Sequence, residues 1–516
     1  MQPALDILLV HAPKLEDRFR PVGRAMSVNY LAVGLPALAA RLERDGHRAQ
    51  IVHLGVEKLV DPHFDLGRYV RARRPRVVGF SLHWHAQVHD TVQAIRTVRQ
   101  ALPQAWIVAG GFTASWFHTQ AMDSLKELDG VLRGDAEASL LALTRALAST
   151  PGKRDLEQVP GLTWRRDEQL VTNDPAPSAS SEQLDSLEPA RFDLVKNFRT
   201  YLRHFCGPHY VPHRRSVAWL MRRSQQFFGA GGRYFILPAG RGCTVNCAWC
   251  GGGWSAHRKH SGRTGVTQPS PTRVADWTEQ ALEQGFEGIH ACFDPTPSDP
   301  TWWCQVFDEV GRRKLQSELF FESFHLPHDD LLAGMTRSFR RCRVALSPES
   351  PDPQIRRRVR GFSFSNEELI SAVRRCDQAG VEVVLCFGYG LPWESQDSLN
   401  QTRALARRCQ RAARRVPVLL RSFPIQIEPG APWSVDPERF GIQLHRRTFE
   451  DYLRAHTPGW TGPEAGLGYS LDDYFPSTES DPSTGAEQAH GFQRNLHRSA
   501  CRELCPLPPS PTLGRF

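Results

Sequence analysis

The feature that most constrains this chain is a glycine-bordered loop with three closely spaced cysteines. Cys243, Cys247 and Cys250 follow the spacing C-x3-C-x2-C, with Gly242 before them and Gly251–Gly253 after them. Thiolates are the preferred ligands of iron–sulfur clusters, and three of them would leave one iron of a [4Fe–4S] cluster open to a small molecule. The glycines let the backbone wrap closely around a bulky group. The spacing therefore predicts such a cluster at this loop.

Two other interpretations of these cysteines stay open on the residues alone. Cysteines at positions i, i+4 and i+7 share one face of a helix and could simply be buried there, although three consecutive glycines disfavour a continuing helix. A structural zinc ion is the other possibility, with Cys206 or Cys292 as the fourth ligand.

The first 150 residues alternate short β-branched runs with amphipathic stretches. Such alternation predicts an α/β domain with a doubly wound parallel sheet, in which ligands bind beyond the carboxyl ends of the strands. Ser81, Gly110, Gly111 and Gly134 lie at or just after such ends. The predicted strands are Ile7–Val10, Ala49–Leu54, Val77–Leu82, Trp106–Ala109 and Val131–Leu132.

A second alternation runs from residue 233 to residue 440 and predicts a partial (β/α)6 TIM-type barrel. The cysteine loop follows its first strand, at the end where barrel enzymes place their chemistry. The predicted strands are Tyr234–Pro238, Gly288–Phe293, Glu318–Ser323, Cys342–Leu346, Val381–Phe387 and Val418–Ile427.

Polar residues and glycines mark the ends of the other barrel strands. They include one or more carboxylates at the second, fourth and sixth strands and two glycines at the fifth. A carboxylate at such a position is either part of the site or a helix cap or ion-pair partner. The residues are Asp294, Ser347, Glu349, Gly388, Gly390 and Glu428.

The cysteine loop, with Trp249 directly before its third cysteine, resembles the signature of the radical S-adenosylmethionine (SAM) superfamily. The resemblance implies that the open iron takes the amino and carboxylate groups of SAM and that an electron from the cluster cleaves SAM to a 5′-deoxyadenosyl radical. The Gly-Gly-Glu-like element of the family is replaced by Ala291-Cys-Phe-Asp294, so Asp294 is the expected substitute. The implied SAM contacts are Trp249, Asp294, Ser347, Glu349, Gly388 and Gly390.

The first domain resembles the cobalamin (B12)-binding domain that precedes the radical SAM domain in one large subfamily. The resemblance implies that Ser81, Gly110, Gly111 and Gly134 line the pocket for the lower face and nucleotide tail. The D-x-H-x-x-G element, which supplies a histidine to cobalt in many B12 enzymes, is missing. The lower ligand is left open, with His83 and His85 as candidates or as ordinary hydrogen-bonded histidines. A flavodoxin-like sheet without a cofactor is the wider alternative.

Together the two resemblances imply a cobalamin-dependent radical SAM enzyme. By family analogy its reaction is C-methylation at an unactivated carbon of a small natural-product intermediate or a peptide. Cyclisation or rearrangement without methyl transfer, and modification of RNA, are the alternative activities. The family also implies an external electron donor of the flavodoxin or ferredoxin type.

Net charge and hydropathy indicate which partners and which cellular compartment to expect. The 64 basic and 55 acidic residues give a net charge of +9, but no RNA-binding module accompanies it, which favours a solvated basic surface over nucleic-acid binding. No apolar run reaches the length of a membrane span, no signal peptide is visible, and the scattered cysteines are typical of reduced thiols, so a cytoplasmic enzyme is expected. The expected division is a cobalamin-binding-like domain (1–150), a linker that packs across the domains (151–232), the barrel (233–440), and a C-terminal cap beside the barrel with a poorly ordered tail (441–516).

Overall fold

The computed structural model describes most of both predicted domains. The described residues are 5–12, 30–148, 155–204, 233–389, 391, 393–394, 396–442 and 444–458. Cys206, Gly390 and the predicted tail from residue 459 onward lie outside them.

The first domain is built on a seven-stranded sheet with the order β2-β1-β3-β4-β5-β6-β7. Strands β1 to β5 are parallel, which confirms the predicted doubly wound sheet, and β6 and β7 join them antiparallel. The order 2-1-3-4-5 places the topological switch point between β1 and β3. The strands are β1 (Ile7–His11), β2 (Ala49–His53), β3 (Val77–Ser81), β4 (Trp106–Gly110), β5 (Gly130–Leu132), β6 (Leu162–Arg166) and β7 (Gln169–Thr172).

Helices cover both faces of this sheet. The first and last of them pack together on one face, and the third and fourth pack together on the other. Their buried sides carry the apolar residues and their outer sides the charges, as amphipathic helices require. They are α1 (Gly34–Arg44), α2 (Leu54–Val60), α3 (Leu66–Arg73), α4 (Val88–Ala101), α5 (Phe112–Trp116), α6 (His118–Ser124) and α7 (Glu137–Ala148).

The predicted linker contributes structure to both domains. Strands β6 and β7 lie within it and extend the first sheet, which the sequence analysis did not predict. Two short helices follow, α8 (Ser181–Asp185) and α9 (Phe198–His204). The Phe192 ring packs against Phe235 of the barrel at 6.1 Å, and the Tyr201 ring packs against His53 of the first domain at 5.8 Å. The linker therefore packs across the two domains.

The second domain is an open barrel of six parallel strands in sequential order, β8 to β13. This confirms the predicted partial barrel, and the strand ends fall within three residues of the expected positions. The strands are β8 (Tyr234–Ile236), β9 (Gly288–Ala291), β10 (Glu318–Ser323), β11 (Arg341–Glu349), β12 (Glu382–Tyr389) and β13 (Val418–Pro424).

The barrel helices enclose these strands. Ser365 caps one of them and forms a reciprocal capping box with Glu368, as the sequence indicates. The helices are α10 (Trp254–Ser261), α11 (Pro271–Glu283), α12 (Thr301–Arg312), α13 (Asp329–Ser338), α14 (Pro353–Arg360), α15 (Asn366–Ala379) and α16 (Gln396–Ala412). None of the helices within the described ranges is long and apolar enough to cross a membrane.

The C-terminal helices tie the barrel to the first domain. After α17 (Pro432–Val435), helix α18 (Phe449–Ala455) packs against α4 and α6, and its residues Phe449 and Tyr452 belong to the first domain's core. Helix α18 of the expected cap therefore lies on the first domain, whereas Ile442 and Leu444 of the same segment pack in a cluster with the barrel-side residue Ile427. A further contact with the barrel side comes from the Tyr452 hydroxyl, which donates to the Ile427 carbonyl at 3.3 Å.

Candidate active site between the two domains

The three cysteines lie on an irregular loop between β8 and α10, and all three are partly exposed. Because residues 243–250 form no helix, the interpretation as a buried helical face does not hold. Backbone N–H groups of the same loop donate to the sulfurs, from Val245 to Cys243 at 3.4 Å and from Gly252 to Cys250 at 3.3 Å. The loop thus bends back toward its own thiols.

Segments that follow other barrel strands anchor this loop. The Ala248 N–H donates to the Val359 carbonyl at 2.7 Å. The loop after β13 makes two contacts through Glu428, whose N–H donates to the Trp249 carbonyl at 2.9 Å and whose carboxylate accepts from the Gly251 N–H at 2.8 Å. The cysteine loop is therefore held from two sides of the barrel mouth.

The donor set fits an iron–sulfur cluster better than a single zinc ion. No three His, Cys, Asp or Glu side chains within the described part of the chain are arranged to share one metal ion. Three thiols that share a loop but not a single metal position suit a cluster, in which each thiolate binds a different iron. Burial raises the pKa of all three thiols, to about 11 for Cys247, so cluster binding must release protons.

A buried ion pair lies beside the loop. Glu349, at the end of β11, has a φ of +53° and is 1% exposed, and it binds Arg360 of α14 through two hydrogen bonds. The guanidinium carbon lies 5.5 Å from the Trp249 ring centroid and 5.1 Å from that of Phe324. Burial raises the pKa of Glu349, whereas Arg360 opposes that shift. The Nη1 of Arg360 is buried and has no hydrogen-bond partner among the described residues, so one donor is left for a bound group.

The remaining predicted SAM residues lie at neighbouring strand ends. Asp294 is 4% exposed and accepts hydrogen bonds from the Trp303 indole at 3.0 Å and the Thr296 N–H at 3.2 Å. Burial raises the pKa of Asp294 to about 6. Ser347 is partly buried on β11, and a Cβ built on Gly388 would lie 3.8 Å from the Cβ of Glu349. The structure thus gathers these residues at one end of the barrel.

The predicted cobalamin residues share one edge of the first sheet. Ser81 ends β3 and is paired in register with His11 of β1, and Gly110 ends β4. Gly111 has a φ of +107°, and a Cβ there would lie 2.8 Å from the Leu82 carbonyl oxygen. The positive φ and the close approach of the Leu82 backbone therefore require glycine at this position.

This edge faces the helix that follows the cysteine loop. Gly134 has a φ of +71°, and a Cβ built on it would lie 2.9 Å from the Cβ of Ser261 at the end of α10. The Phe112 ring lies 5.2 Å from the rings of both His257 and His260 of the same helix. The two predicted cofactor regions are therefore neighbours across the domain interface.

Ion pairs that the sequence analysis missed connect the same two regions. Arg241, two residues before Cys243, donates to Glu137 at the start of α7 at 2.8 Å. Asp135 binds Arg263 and lies 3.6 Å from Arg241. Opposite charges directly after β5 and directly before the cysteines were the available signal, but the sequence does not say which charges meet.

The histidine candidates for cobalt differ in their surroundings. The His85 ring lies 3.1 Å from the His456 ring nitrogen and packs on Tyr452, so it belongs to the contact with α18. His83 packs edge-on against Phe112 at 4.9 Å, and burial lowers its pKa to about 4. His83 therefore stays at the candidate edge, whereas His85 is turned toward the C-terminal helix.

A polar pair lies inside the barrel, and the sequence analysis did not identify its histidine. The His290 ring nitrogen lies 2.9 Å from the carboxylate of Glu322 on the next strand, and the His290 ring stacks on Phe320 at 4.6 Å. Both side chains occupy alternate positions that face the barrel interior. This pair provides hydrogen-bonding groups inside the barrel.

Two parts of the chain match known families. Residues 20–144 match the B12 binding domain, and residues 237–406 match the Radical SAM superfamily. The hopanoid C-3 methylase of Methylococcus capsulatus is 33% identical over 170 residues, which cover 33% of this chain and 30% of that protein. The anaerobic magnesium-protoporphyrin IX monomethyl ester cyclase of Cereibacter sphaeroides is 21% identical over 349 residues, which cover 67% of this chain and 51% of that protein.

Solved structures agree with this arrangement. The radical S-adenosylmethionine methyltransferase TsrM of Kitasatospora setae, with tryptophan and a SAM analogue bound, aligns with a TM-score of 0.64 at 16% identity, over 98% of this chain and 92% of that chain. This likeness shows the fold. The curated relatives are matched over about half of their length or less. With both cofactor domains matched in sequence and both sheets present, the chain belongs to the radical SAM superfamily and carries a B12-binding domain ahead of its radical SAM domain.

Proposed function

We propose that this chain is a cobalamin-dependent radical SAM methyltransferase that methylates an unactivated carbon. One observation carries the proposal, namely that the cobalamin edge of the first sheet lies against the helix and ion pairs of the cysteine loop. The contact of Gly134 with Ser261 and the ion pair of Arg241 with Glu137 join the two regions. A substrate held at this interface could reach both cofactors.

The residues at each edge fit the groups that the families bind. Cys243, Cys247 and Cys250 would hold the [4Fe–4S] cluster, and the free Nη1 donor of Arg360 is available to an anionic part of SAM. Both ring nitrogens of His260 are buried without a hydrogen-bond partner among the described residues, which costs about 1–3 kcal/mol for each unsatisfied group. This cost would be removed by a polar group of a cofactor or substrate that hydrogen-bonds to His260 at the interface.

The division of labour follows from these positions. When bound, the cluster and SAM supply a hydrogen-abstracting radical and cobalamin supplies the methyl group. The chain orients these groups through the anchored cysteine loop and the pair of Glu349 with Arg360. The shared apolar core of the two domains, which includes Leu9 and Phe235, excludes water from the surroundings of the site.

The implied partners follow from the same chemistry. The substrate is a small natural-product intermediate or a peptide, and the electron comes from an external flavodoxin-type or ferredoxin-type donor. A net charge of +9 suits an acidic electron-transfer protein. The nine cysteines of the described residues are free, and we place the enzyme in the reducing cytoplasm on that basis.

A cyclase that uses the same cofactors without methyl transfer is the second candidate. It is favoured by two relatives, the anaerobic magnesium-protoporphyrin IX monomethyl ester cyclases of Synechocystis sp. and Cereibacter sphaeroides, at 24% and 21% identity. Both candidates need the cluster. Only the methyltransferase would also use a second SAM, which would donate its methyl group to cobalamin and become S-adenosylhomocysteine.

A product assay separates the two candidates. The full chain is reconstituted anaerobically with iron, sulfide and cobalamin and given SAM and a reductant, and 5′-deoxyadenosine and S-adenosylhomocysteine are quantified by mass spectrometry. Cys250→Ala should abolish both products, whereas Cys304→Ala, on the partly exposed side of α12, should keep them. Both products, with the second dependent on cobalamin, support the methyltransferase, and deoxyadenosine alone supports the cyclase. A wild-type chain that holds no iron and forms neither product would refute both.

A further inference from the structure

Three tryptophan rings connect the cysteine loop to the protein surface. Trp249 directly precedes Cys250, and its ring centroid lies 6.4 Å from that of Trp433 on α17. Trp433 is 0% exposed, and its ring centroid lies 6.4 Å from that of Trp393, which is 36% exposed. Such separations are those of aromatic rings in contact. The three rings therefore form a packed row, the tryptophan column, that runs from the surface to the third cysteine.

The backbone at both ends of the column supports a role for it. The Trp433 N–H donates to the Ala248 carbonyl at 2.9 Å, so the middle ring belongs to a segment that is hydrogen-bonded to the cysteine loop. At the outer end, Trp393 has a φ of +72°, which is unfavourable for a bulky residue. Burial of its ring does not explain this conformation, because the residue is more than a third exposed. Residues held in this way are typical of functional sites.

Exposed arginines flank the outer ring. The guanidinium carbon of Arg358 lies 4.9 Å from the centroid of Trp393, so the cation rests against the ring. Arg357, the preceding residue of α14, is also exposed. Arg360, at the end of the same helix, is neutralised by Glu349. Arg357 and Arg358 therefore carry the positive charge that this helix presents to solvent.

Three carboxylates lie close to the column in the chain, and none of them forms an ion pair with Arg357 or Arg358 in the described part of the structure. The carboxylate next to Trp393 accepts from the Leu391 N–H at 3.0 Å, within its own turn. The other two are exposed and follow α17. Trp393, Arg357 and Arg358 thus form an aromatic and basic surface, the entry surface. The three carboxylates are those of Glu394, Asp436 and Glu438.

The first domain covers other sides of the cysteine loop. Helix α10, which follows the cysteines, lies against Gly134 and Phe112. The turn after β13 lies against Trp116, whose ring would be 2.9 Å from a Cβ built on Gly430. A protein partner that must come close to the cysteines therefore has to approach elsewhere, and the entry surface is exposed.

We propose that the entry surface docks the acidic electron-transfer protein that reduces the cluster, and that the electron travels along the tryptophan column. This inference rests on the proposed function, because it requires a cluster at the three cysteines. The reduced donor loses one electron and the oxidised cluster gains it, and no bond forms or breaks. The tryptophans keep their charge, and their packed rings give stronger electronic coupling than a gap would. An acidic donor is complementary to the two exposed arginines, which steer its approach.

Docking and electron transfer are measured separately on the full chain with its reconstituted cluster. Binding of an acidic FMN flavodoxin and, in parallel, of an acidic [2Fe–2S] ferredoxin is measured by surface plasmon resonance at low and high salt. Growth of the reduced-cluster signal at saturating reduced carrier is followed by freeze-quench electron paramagnetic resonance. Reduction by dithionite reports whether the cluster is intact. At least one carrier should bind the wild type and reduce its cluster, with an affinity that falls as salt rises.

The variants separate charge from path. Arg358→Glu should weaken binding roughly 3- to 10-fold at low salt without changing the rate at saturation. Arg374→Glu, the same charge change at an exposed position of α15, should bind like wild type. Trp433→Leu and Trp393→Leu should slow cluster reduction at saturation several-fold, whereas dithionite should reduce the cluster of both variants as in wild type.

The outcomes distinguish this inference from the proposed function. Equal losses of affinity in Arg358→Glu and Arg374→Glu, or no carrier bound to a wild type whose cluster dithionite reduces, overturn the entry surface alone. An unchanged rate at saturation in Trp393→Leu overturns the electron path, and this variant decides the matter if Trp433→Leu folds poorly. A wild-type chain that holds no iron overturns the proposed function as well.

Discussion

Gly251 directly follows the third cysteine. We predict that its replacement by alanine, which adds one methyl group, weakens binding of the cluster. A Cβ built there would lie less than 3.0 Å from the Pro429 carbonyl oxygen and 3.2 Å from the Cβ of Glu428. Both are parts of the turn that anchors the loop, and a carbonyl oxygen cannot rotate away as a side chain would. Gly251→Ala must therefore push the cysteine loop and this turn apart.

The adjacent glycine provides a matched control. A Cβ on Gly252 would meet nothing closer than the Cys250 sulfur at 3.7 Å, which is an ordinary van der Waals contact. Neither Gly251 nor Gly252 has a positive φ, so both substitutions are allowed by the backbone and differ in packing alone. Overpacking typically costs about 1–3 kcal/mol. That range corresponds to a roughly 5- to 150-fold smaller equilibrium constant for the loop conformation that binds the cluster.

Cluster retention measures this difference directly. Iron and acid-labile sulfide per chain are determined after anaerobic reconstitution, and the rate of iron loss to a chelator is followed for both variants. Gly251→Ala should lose iron at least several-fold faster than wild type, and Gly252→Ala should resemble wild type. Equal loss rates for the two variants, or faster loss from Gly252→Ala, would refute the argument that contact with the turn after β13 positions the cysteines.

Three further perturbations test the charges around the site. Glu349→Gln leaves its arginine partner charged and buried, which should cost about 3–5 kcal/mol and lower the thermal midpoint clearly, whereas Glu367→Gln in an exposed pair should change stability by less than about 1 kcal/mol. Glu137→Gln should speed hydrogen exchange near Arg241, and the difference from wild type should shrink at high salt, because the ion pair is only partly buried. Burial raises the pKa of Asp294 from 3.8 to about 6, so the folded wild type loses up to about 3 kcal/mol as the pH rises through that window. The thermal midpoint of Asp294→Asn should therefore rise relative to that of wild type between pH 4 and pH 7. A difference between the two midpoints that does not change with pH would contradict this.

Much of the barrel could be predicted from local pattern because each strand and helix carries its own signal. Strand β10 begins and ends at the predicted residues, since the apolar run Leu319-Phe320-Phe321 is flanked by polar residues, and a stretch with helical periodicity follows it at α13. The capping box of Ser365 and Glu368 fixes the start of α15 in the same local way. Such features depend on residues a few positions apart, which the sequence displays directly.

The contacts between distant segments could not be predicted in this way. Phe449 and Tyr452 are spaced i, i+3 and define an apolar face of α18, but periodicity does not identify what covers that face. The structure shows that Phe117 of the first domain does so, with ring centroids 6.2 Å and 5.6 Å from these two residues. Strands β6 and β7 were likewise hidden, because a short hairpin at a sheet edge has little apolar sequence of its own.

The buried arginine of the site illustrates a signal that was present but unused. Arg358 and Arg360 are two residues apart in the sequence, yet Arg358 is exposed above the Trp393 ring and Arg360 is buried against Glu349. The segment is a helix with proline at its first position and Gly361 in the left-handed conformation after its end, both of which are ordinary helix boundary signals. Had α14 been assigned from them, its period would have separated the two arginines onto different faces.

Contacts across the domain interface explain why the two cofactor regions should not behave independently. Arg241 precedes the cysteines by two residues and binds Glu137 of the first domain, so a shift of the edge after β5 acts on the cluster loop within one contact. Gly134 at that edge has no space for a side chain against Ser261, which makes the interface stiff at this point. If cobalamin moves this edge, it changes the affinity for the cluster, and linkage then requires the cluster to change the affinity for cobalamin by the same factor. Holding the cobalamin edge and the cluster loop in fixed register is therefore a property of the interface, which neither domain's sequence pattern displays alone.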